Sequence, residues 1–296
     1  MGQARKDRTF LTRFVRKLRG GTQSILAEAS DGHLYIVKFI NNLQGPNVPF
    51  NEAMGTALFE MCGFLVAPWT PITVTEGFID DNRLCWLETP EGRVRPKAGV
   101  CFGSQFLGAP SCTLYEILPG NYFKRVRNHF DFWLAWLVDV CAGHMDNRQA
   151  IFRDNADRTL TAFFIDYGHM FGGPMGDGIP RIATSRYLDL RIYEGFSAKS
   201  MNPKRILAEK LNTERLWDLA LALPDEWKNG SALTKFTDCL NRLSDSRFVQ
   251  DVYNSIIDNY RHSSAGGVSY KDNGTSTFAI LHPRILPTRV RGETAQ

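Results

Sequence analysis

Phe130 to Ala142 is apolar on nearly every side, with Trp133, Trp136, Leu137 and Val138 spread around the helical wheel. Such a stretch predicts a helix buried all round, because no polar face is left to meet water. Gly143 marks where it stops. The chain is then released into a loop, His144-Met145-Asp146-Asn147-Arg148-Gln149. A hairpin follows, pairing roughly 150–152 with 159–165 across the polar turn Asp154-Asn155-Ala156-Asp157, and it ends in Ile165-Asp166-Tyr167-Gly168-His169. One short hairpin thus carries a carboxylate at either end, Asp146 and Asp166.

That pairing suits phosphoryl transfer, in which one carboxylate orients the acceptor hydroxyl while the other holds Mg²⁺ against the nucleotide phosphates. A lone loop aspartate is by default a surface turn. Asp166 is harder to dismiss, since it follows Phe163-Phe164-Ile165, where a carboxylate without a cation is costly. His144 and His169 invite a zinc reading, but no third ligand stands at metal spacing. A Ser-His-Asp hydrolase lacks its GxSxG elbow.

The first third reads as mostly β. Gly20-Gly21-Thr22-Gln23-Ser24 leads into a strand over 25–29, an Asp31-Gly32 turn and a strand over 33–40, a hairpin signature. Gly20 and Gly21 either make a plain turn or let backbone approach phosphates, with Thr22 and Ser24 adding hydroxyl donors. Lys38 sits between Ile36 and Ile40 on one strand face, which argues against a purely solvated position and for a cleft. Asn51 is expected to cap a helix from Glu52 to about Cys62. Glu52 is open to two readings, interaction with the helix dipole or an ion pair that aims Lys38. Residues 69–87 suggest further short strands, 88–113 are too rich in Gly, Pro and Ser to assign, and 205–223, 230–243 and 245–260 carry helical spacing.

At 296 residues with net charge +4 the chain can bury a full core, and its charge balance alone argues for neither nucleic acid nor membrane. Arg5, Lys6, Arg8, Arg13, Arg16, Lys17 and Arg19 crowd the start among Phe10, Leu11, Phe14, Val15 and Leu18. That pattern predicts an amphipathic strand or helix with a solvated basic face, or a contact with an anionic partner such as RNA or a lipid surface. Six scattered cysteines without a CxxC pair read as reduced, buried small hydrophobes. The absence of a signal-like or membrane-length apolar run leads to an expected cytoplasmic location.

Taken in order, several segments resemble HipA-like kinase domains, bacterial relatives of the HipA toxin kinase. They are Tyr35-Ile36-Val37-Lys38-Phe39, Asn41-Asn42, Gln44-Gly45-Pro46, Asn51-Glu52, Gly103-Ser104, Leu118-Pro119, Asn128 with Asp131-Phe132, Asp146 with Arg148-Gln149-Ala150-Ile151-Phe152, and Ile165 to His169. Pro224-Asp225-Glu226-Trp227 and Leu243 extend the likeness, which spans about residues 15–260. The resemblance implies an α+β, two-lobed protein-kinase-like fold, with an N-lobe over 1–118, a C-lobe over 119–262 and an extended tail over 263–296. The tail is expected to be extended or partly disordered. The resemblance also implies ATP and Mg²⁺ in the cleft and a protein Ser or Thr hydroxyl as acceptor. Lys38 would meet the phosphates, Glu52 support it, Asp146 act as catalytic aspartate and Asp166 hold metal. Gly20, Gly21, Thr22, Gln23, Ser24, Glu116 and Leu118 would border the nucleotide. HipA proper has an asparagine five residues after its catalytic aspartate, where this chain has Ile151, so Gln149, or else Asn147, is expected to supply the second metal contact. If neither does, the alternative is a pseudokinase or nucleotide-binding interaction module.

Overall fold

Five strands form an antiparallel sheet in the order β1-β2-β3-β7-β4: β1 (Leu11–Lys17), β2 (Ile25–Ala29), β3 (Leu34–Lys38), β7 (Gly99–Gln105) and β4 (Trp69–Val74). The computed structural model describes residues 9–109, 112–195 and 201–265. Phe10, just before β1, bridges Thr73 of β4, so the sheet curls until its two edges meet. Between β3 and β4 lies helix α1 (Val48–Met61), buried along almost its whole length. The short helix α2 (Glu76–Asp81) and the hairpin of β5 (Leu87–Thr89) and β6 (Gly92–Val94) link β4 to β7.

A second, three-stranded sheet has the order β10-β9-β8, from β8 (Leu114–Tyr115), β9 (Gln149–Asp154) and β10 (Leu160–Ile165). It packs on α3 (Asp131–Ala142), the all-apolar helix, which ends at Gly143 in the left-handed conformation (φ 74°). Helices α6 (Gly230–Ser244) and α7 (Ser246–Ala265) pack on α3, α4 (Pro203–Lys210) packs on α6 and α7, and α5 (Thr213–Ala222) packs on α1. The main apolar core joins α1 to this helical part, with Phe59, Phe132, Trp136, Phe152, Phe164 and Trp227 among its buried side chains. A second core lies within the five-stranded sheet and α2. The architecture is therefore α+β, with a β-rich N-terminal part and a mainly helical C-terminal part, as expected.

Four local expectations need correction. Asn51 does not cap α1: the helix begins at Val48 after Asn47, with Pro49 in its first turn, where a missing N–H is harmless. Residues 76–81 are helical rather than extended, because Thr75 accepts a bond from Phe78 N (3.1 Å) and turns the chain. The helix expected over 205–223 is two helices, since Asn212 accepts from Arg215 N (2.9 Å) and starts α5 afresh. Helix α7 continues through Ala265, past the expected start of an extended tail; the remainder of that tail lies outside the described residues, as do Arg5, Lys6 and Arg8. The basic segment from Arg13 onwards is strand β1, where Arg13 pairs with Glu28 (2.6 Å) and Lys17 donates to Trp86 O (2.7 Å). All six cysteines are free, five buried and Cys112 half-buried.

The strand β7 came from the Gly-rich stretch left unassigned above. Gly103 sits opposite Thr70 and packs under Ile72, whose Cδ1 would collide with any added Cβ. Gly103→Ala is therefore expected to cost about 1–3 kcal/mol in chemical denaturation, the usual range for overpacking. Adding Ile72→Val, which removes that methyl, should recover part of the loss.

Candidate active site

Lys38 ends β3 and is buried, 7 % exposed. A buried ammonium is costly unless paired, and two carboxylates meet it: Glu52 Oε1 from α1, and Asp166 Oδ1 at 2.9 Å from the end of β10. The three residues come from three elements, with Asp166 lying 128 positions from Lys38. Burial alone would lower the pKa of Lys38, but the charges of Asp166 and Glu52 raise it above its ordinary value. Burial likewise would raise Asp166, yet Lys38 holds it below the usual carboxylate range. Glu52 is pushed up by burial, against the pull of Lys38. Lys38 accordingly stays charged throughout the physiological range. Of the two readings open for Glu52, the ion pair is the one formed.

Asp166 has a left-handed backbone (φ 61°), uncommon for a residue with a side chain. What holds it there is Arg148, which is fully buried. Its guanidinium grips Asp139 of α3 with two bonds (Nε to Oδ2 2.8 Å, Nη2 to Oδ1 2.6 Å) and donates through Nη1 to Ile165 O (2.7 Å). It also lies over the rings of Phe59 from α1 and Tyr167, at 4.6 and 4.7 Å. Burial pushes the Asp139 carboxyl up to about 6, against the opposing pull of Arg148.

The loop bearing Asp146 is held from several sides. Met145 N donates to His169 O (2.9 Å), Ser185 Oγ donates to His144 O (2.7 Å), and Arg148 N donates to Arg186 O (3.1 Å). Asp146 is half-buried, and its Oδ1 accepts from Asn147 N (2.7 Å). Gln149 is exposed at the start of β9, across the ladder from Ile165. His144 is buried and kept neutral by burial and by the charge of Arg148.

The glycine loop Gly20–Ser24 connects β1 to β2. The Gln23 side chain is committed elsewhere: its amide donates to Glu88 O and accepts from Glu88 N, both at 2.7 Å, stitching the loop to β5. Thr22 and Ser24 hydroxyls bond each other (3.0 Å). Glu116 is exposed, whereas Leu118 is buried in the main core. Sequence reasoning passed over a small apolar cluster of Leu26, Phe106, Leu114 and Ile151, flanked by Ile36 and Ile165. It bridges the five-stranded sheet to the hairpin. Because Ile36 shares a strand face with Lys38 and Ile165 precedes Asp166, this cluster adjoins the charged group along both chains.

The arrangement can do definite chemistry. A fixed ammonium of this kind can bond an anionic group. Asp166 uses only Oδ1 toward Lys38 and its side chain is 27 % exposed, leaving Oδ2 free of hydrogen bonds among the described residues. Asp146 likewise uses only Oδ1. Hard oxygen donors of this kind fit Mg²⁺ or Mn²⁺.

No protein-family model matches the sequence, and no curated protein matches it significantly. Two solved structures of the Golgi casein kinase, one with Mn/ADP bound, are similar to the chain at a low level. The first is 13 % identical with a TM-score of 0.44, covering 87 % of this chain and 75 % of the other. The Mn/ADP form is 12 % identical with a TM-score of 0.44, covering 85 % and 74 %. At that level the likeness carries no weight, and the functional reading rests on the side chains themselves.

Arg148→Met should cost about 3–5 kcal/mol, because it strands Asp139 as an uncompensated buried charge. Combining it with Asp139→Leu should restore a large part of that stability in equilibrium unfolding, with the remainder reflecting the lost bond to Ile165 O.

Proposed function

We propose that the chain is an ATP- and Mg²⁺-dependent kinase of HipA-like type, transferring the γ-phosphate to a Ser or Thr hydroxyl of a protein. The observation that carries this reading is the buried Lys38 ammonium held between Glu52 and Asp166, with the Oδ2 of a partly exposed Asp166 left over. In this reading the adenine lies against the half-buried Ile36 and Ile165 at the margin of the apolar cluster, the Gly20–Ser24 loop lies over the phosphates, and Glu116 and Leu118 border the base. Lys38 bonds the phosphates, and Glu52 keeps its charge and direction. Asp146 orients the acceptor hydroxyl and takes its proton. Asp166, with Gln149, would hold Mg²⁺, and the metal would supply neutralisation of phosphate charge. The chain's own contribution is then positioning and electrostatic stabilisation, with no covalent enzyme intermediate. The lobes would divide near residue 118.

A second reading has a specific observation behind it. Ile151 is buried in the apolar cluster and has no oxygen to offer a metal, which favours a nucleotide-binding interaction module without transfer.

Incubation with γ-labelled ATP and Mg²⁺, alone and with host lysate, separates the two. Label on a protein hydroxyl is the expected result; nucleotide binding without any labelled species favours the module. Asp146→Asn should lower kcat by about 10²–10⁴-fold, the scale of a lost general base, with nucleotide affinity retained. Asp166→Asn should weaken Mg²⁺-dependent nucleotide binding as well, as read by calorimetric titration with and without the metal. Equal loss of affinity in both variants would contradict this division of roles. Gln149→Leu should raise the Mg²⁺ concentration needed for half-maximal activity; unchanged metal dependence would remove Gln149 from the site.

A further inference from the structure

Asn51 occupies the first half of α1 with its side chain fully buried. A buried amide is costly unless bonded, and asparagine is a poor residue for a helix interior. Its Nδ2 faces three main-chain carbonyls: Gly168 O at 3.0 Å, Met170 O at 2.8 Å and Gly173 O at 3.2 Å. Two amide hydrogens thus serve three acceptors, while Oδ1 accepts from none of the described residues. All of the side chain's bonding goes to the backbone that follows Asp166.

The neighbouring face of α1 makes the same contact. Glu52 Oε1 accepts from Gly168 N (2.8 Å) while bonding Lys38. At Gly55, one turn on, an added Cβ would stand 2.5 Å from Tyr167 Cβ and 2.6 Å from Met170 Sδ, so only glycine permits this approach. The start of α1 is tied down too. Asn47 N donates to Pro174 O (3.0 Å), and the Asn47 side chain bonds Asn229 and Ser231 at the start of α6. Residues 166–180 contain no Ser or Thr, and their one hydroxyl residue, Tyr167, is buried. An added phosphate therefore has no accessible hydroxyl in this segment.

We propose that Asn51 is a positioning residue: its buried amide welds the segment after Asp166 to α1, holding Asp166 in register with the Lys38–Glu52 pair without an activating modification. The proposal rests on the phosphotransfer reading for its consequence, though not for its geometry. The test uses the full chain with Asn51→Asp, which keeps volume and removes both donated hydrogens. Leu58→Ala, a cavity in the same helix without polar contacts to the segment, serves as the control. Hydrogen exchange followed by mass spectrometry should show residues 166–173 exchanging about ten-fold faster or more in Asn51→Asp, through easier local opening, and no such selective change in Leu58→Ala. Calorimetry should show the Mg²⁺-dependent part of ATP affinity falling about ten-fold, the scale of a lost support to a metal ligand, with metal-free affinity unchanged. Unaltered exchange over 166–173 in a cooperatively folded Asn51→Asp chain overturns the proposal, as does an equal effect from Leu58→Ala. Should Asn51→Asp fail to fold, Gly55→Ala disturbs the same contact and is judged by the same two readouts. If the unmodified chain binds no nucleotide, the phosphotransfer reading fails, while the exchange result still decides whether Asn51 couples the two segments.

Discussion

The Lys38 ammonium buried between Glu52 and Asp166 is the constraint on which the rest of the structure depends. A charge of this kind is tolerated only when its partners are held in place, because removing either leaves a desolvated ion with no compensation. Each partner is accordingly braced by its own surroundings. Glu52 lies on a helix that is buried almost throughout, and Asp166 follows the strand that pairs with β9. The ion group thereby joins the five-stranded sheet, α1 and the hairpin into one arrangement.

Arg148, also buried, performs a comparable task. By gripping Asp139, the carbonyl of Ile165 and two aromatic faces together, it connects α3, α1 and the end of β10 through a single planar cation. Arginine suits this position because its fork bonds a carboxylate with two parallel contacts while its faces stack on rings. The left-handed backbone of Asp166 is then sustained by its neighbours and costs the local chain of order 1–3 kcal/mol.

Ile151 and Gln149 meet different surroundings on one strand. Ile151 packs with Leu26, Phe106 and Leu114 and so helps to close the sheet onto the hairpin, but it brings no ligating atom to the mouth of that hairpin. Gln149, two residues earlier on the same strand face, is exposed and carries an amide oxygen. The division between a structural Ile151 and an exposed Gln149 is what separates this site from the pattern its sequence resembles.

Local pattern determined much of this protein. The all-apolar run of α3, its closing Gly143, the β9–β10 hairpin and the flanking Asp146 and Asp166 were legible because periodicity, glycine and turn residues act over a few positions. Lys38 stood out for a related reason, as a charge amid apolar neighbours on a strand. What the sequence could not reveal was the interior strand β7, since its glycines look like a loop until Ile72 is seen packed against Gly103. Nor could it separate Asn51 from an ordinary helix cap, or mark Arg148 as a buried clamp. The partners of Asn51 begin 117 positions away, and those of Arg148 lie on three other elements. A polar side chain's role is set by what desolvates it and what pairs with it, and both are supplied by distant parts of the chain only once it has folded.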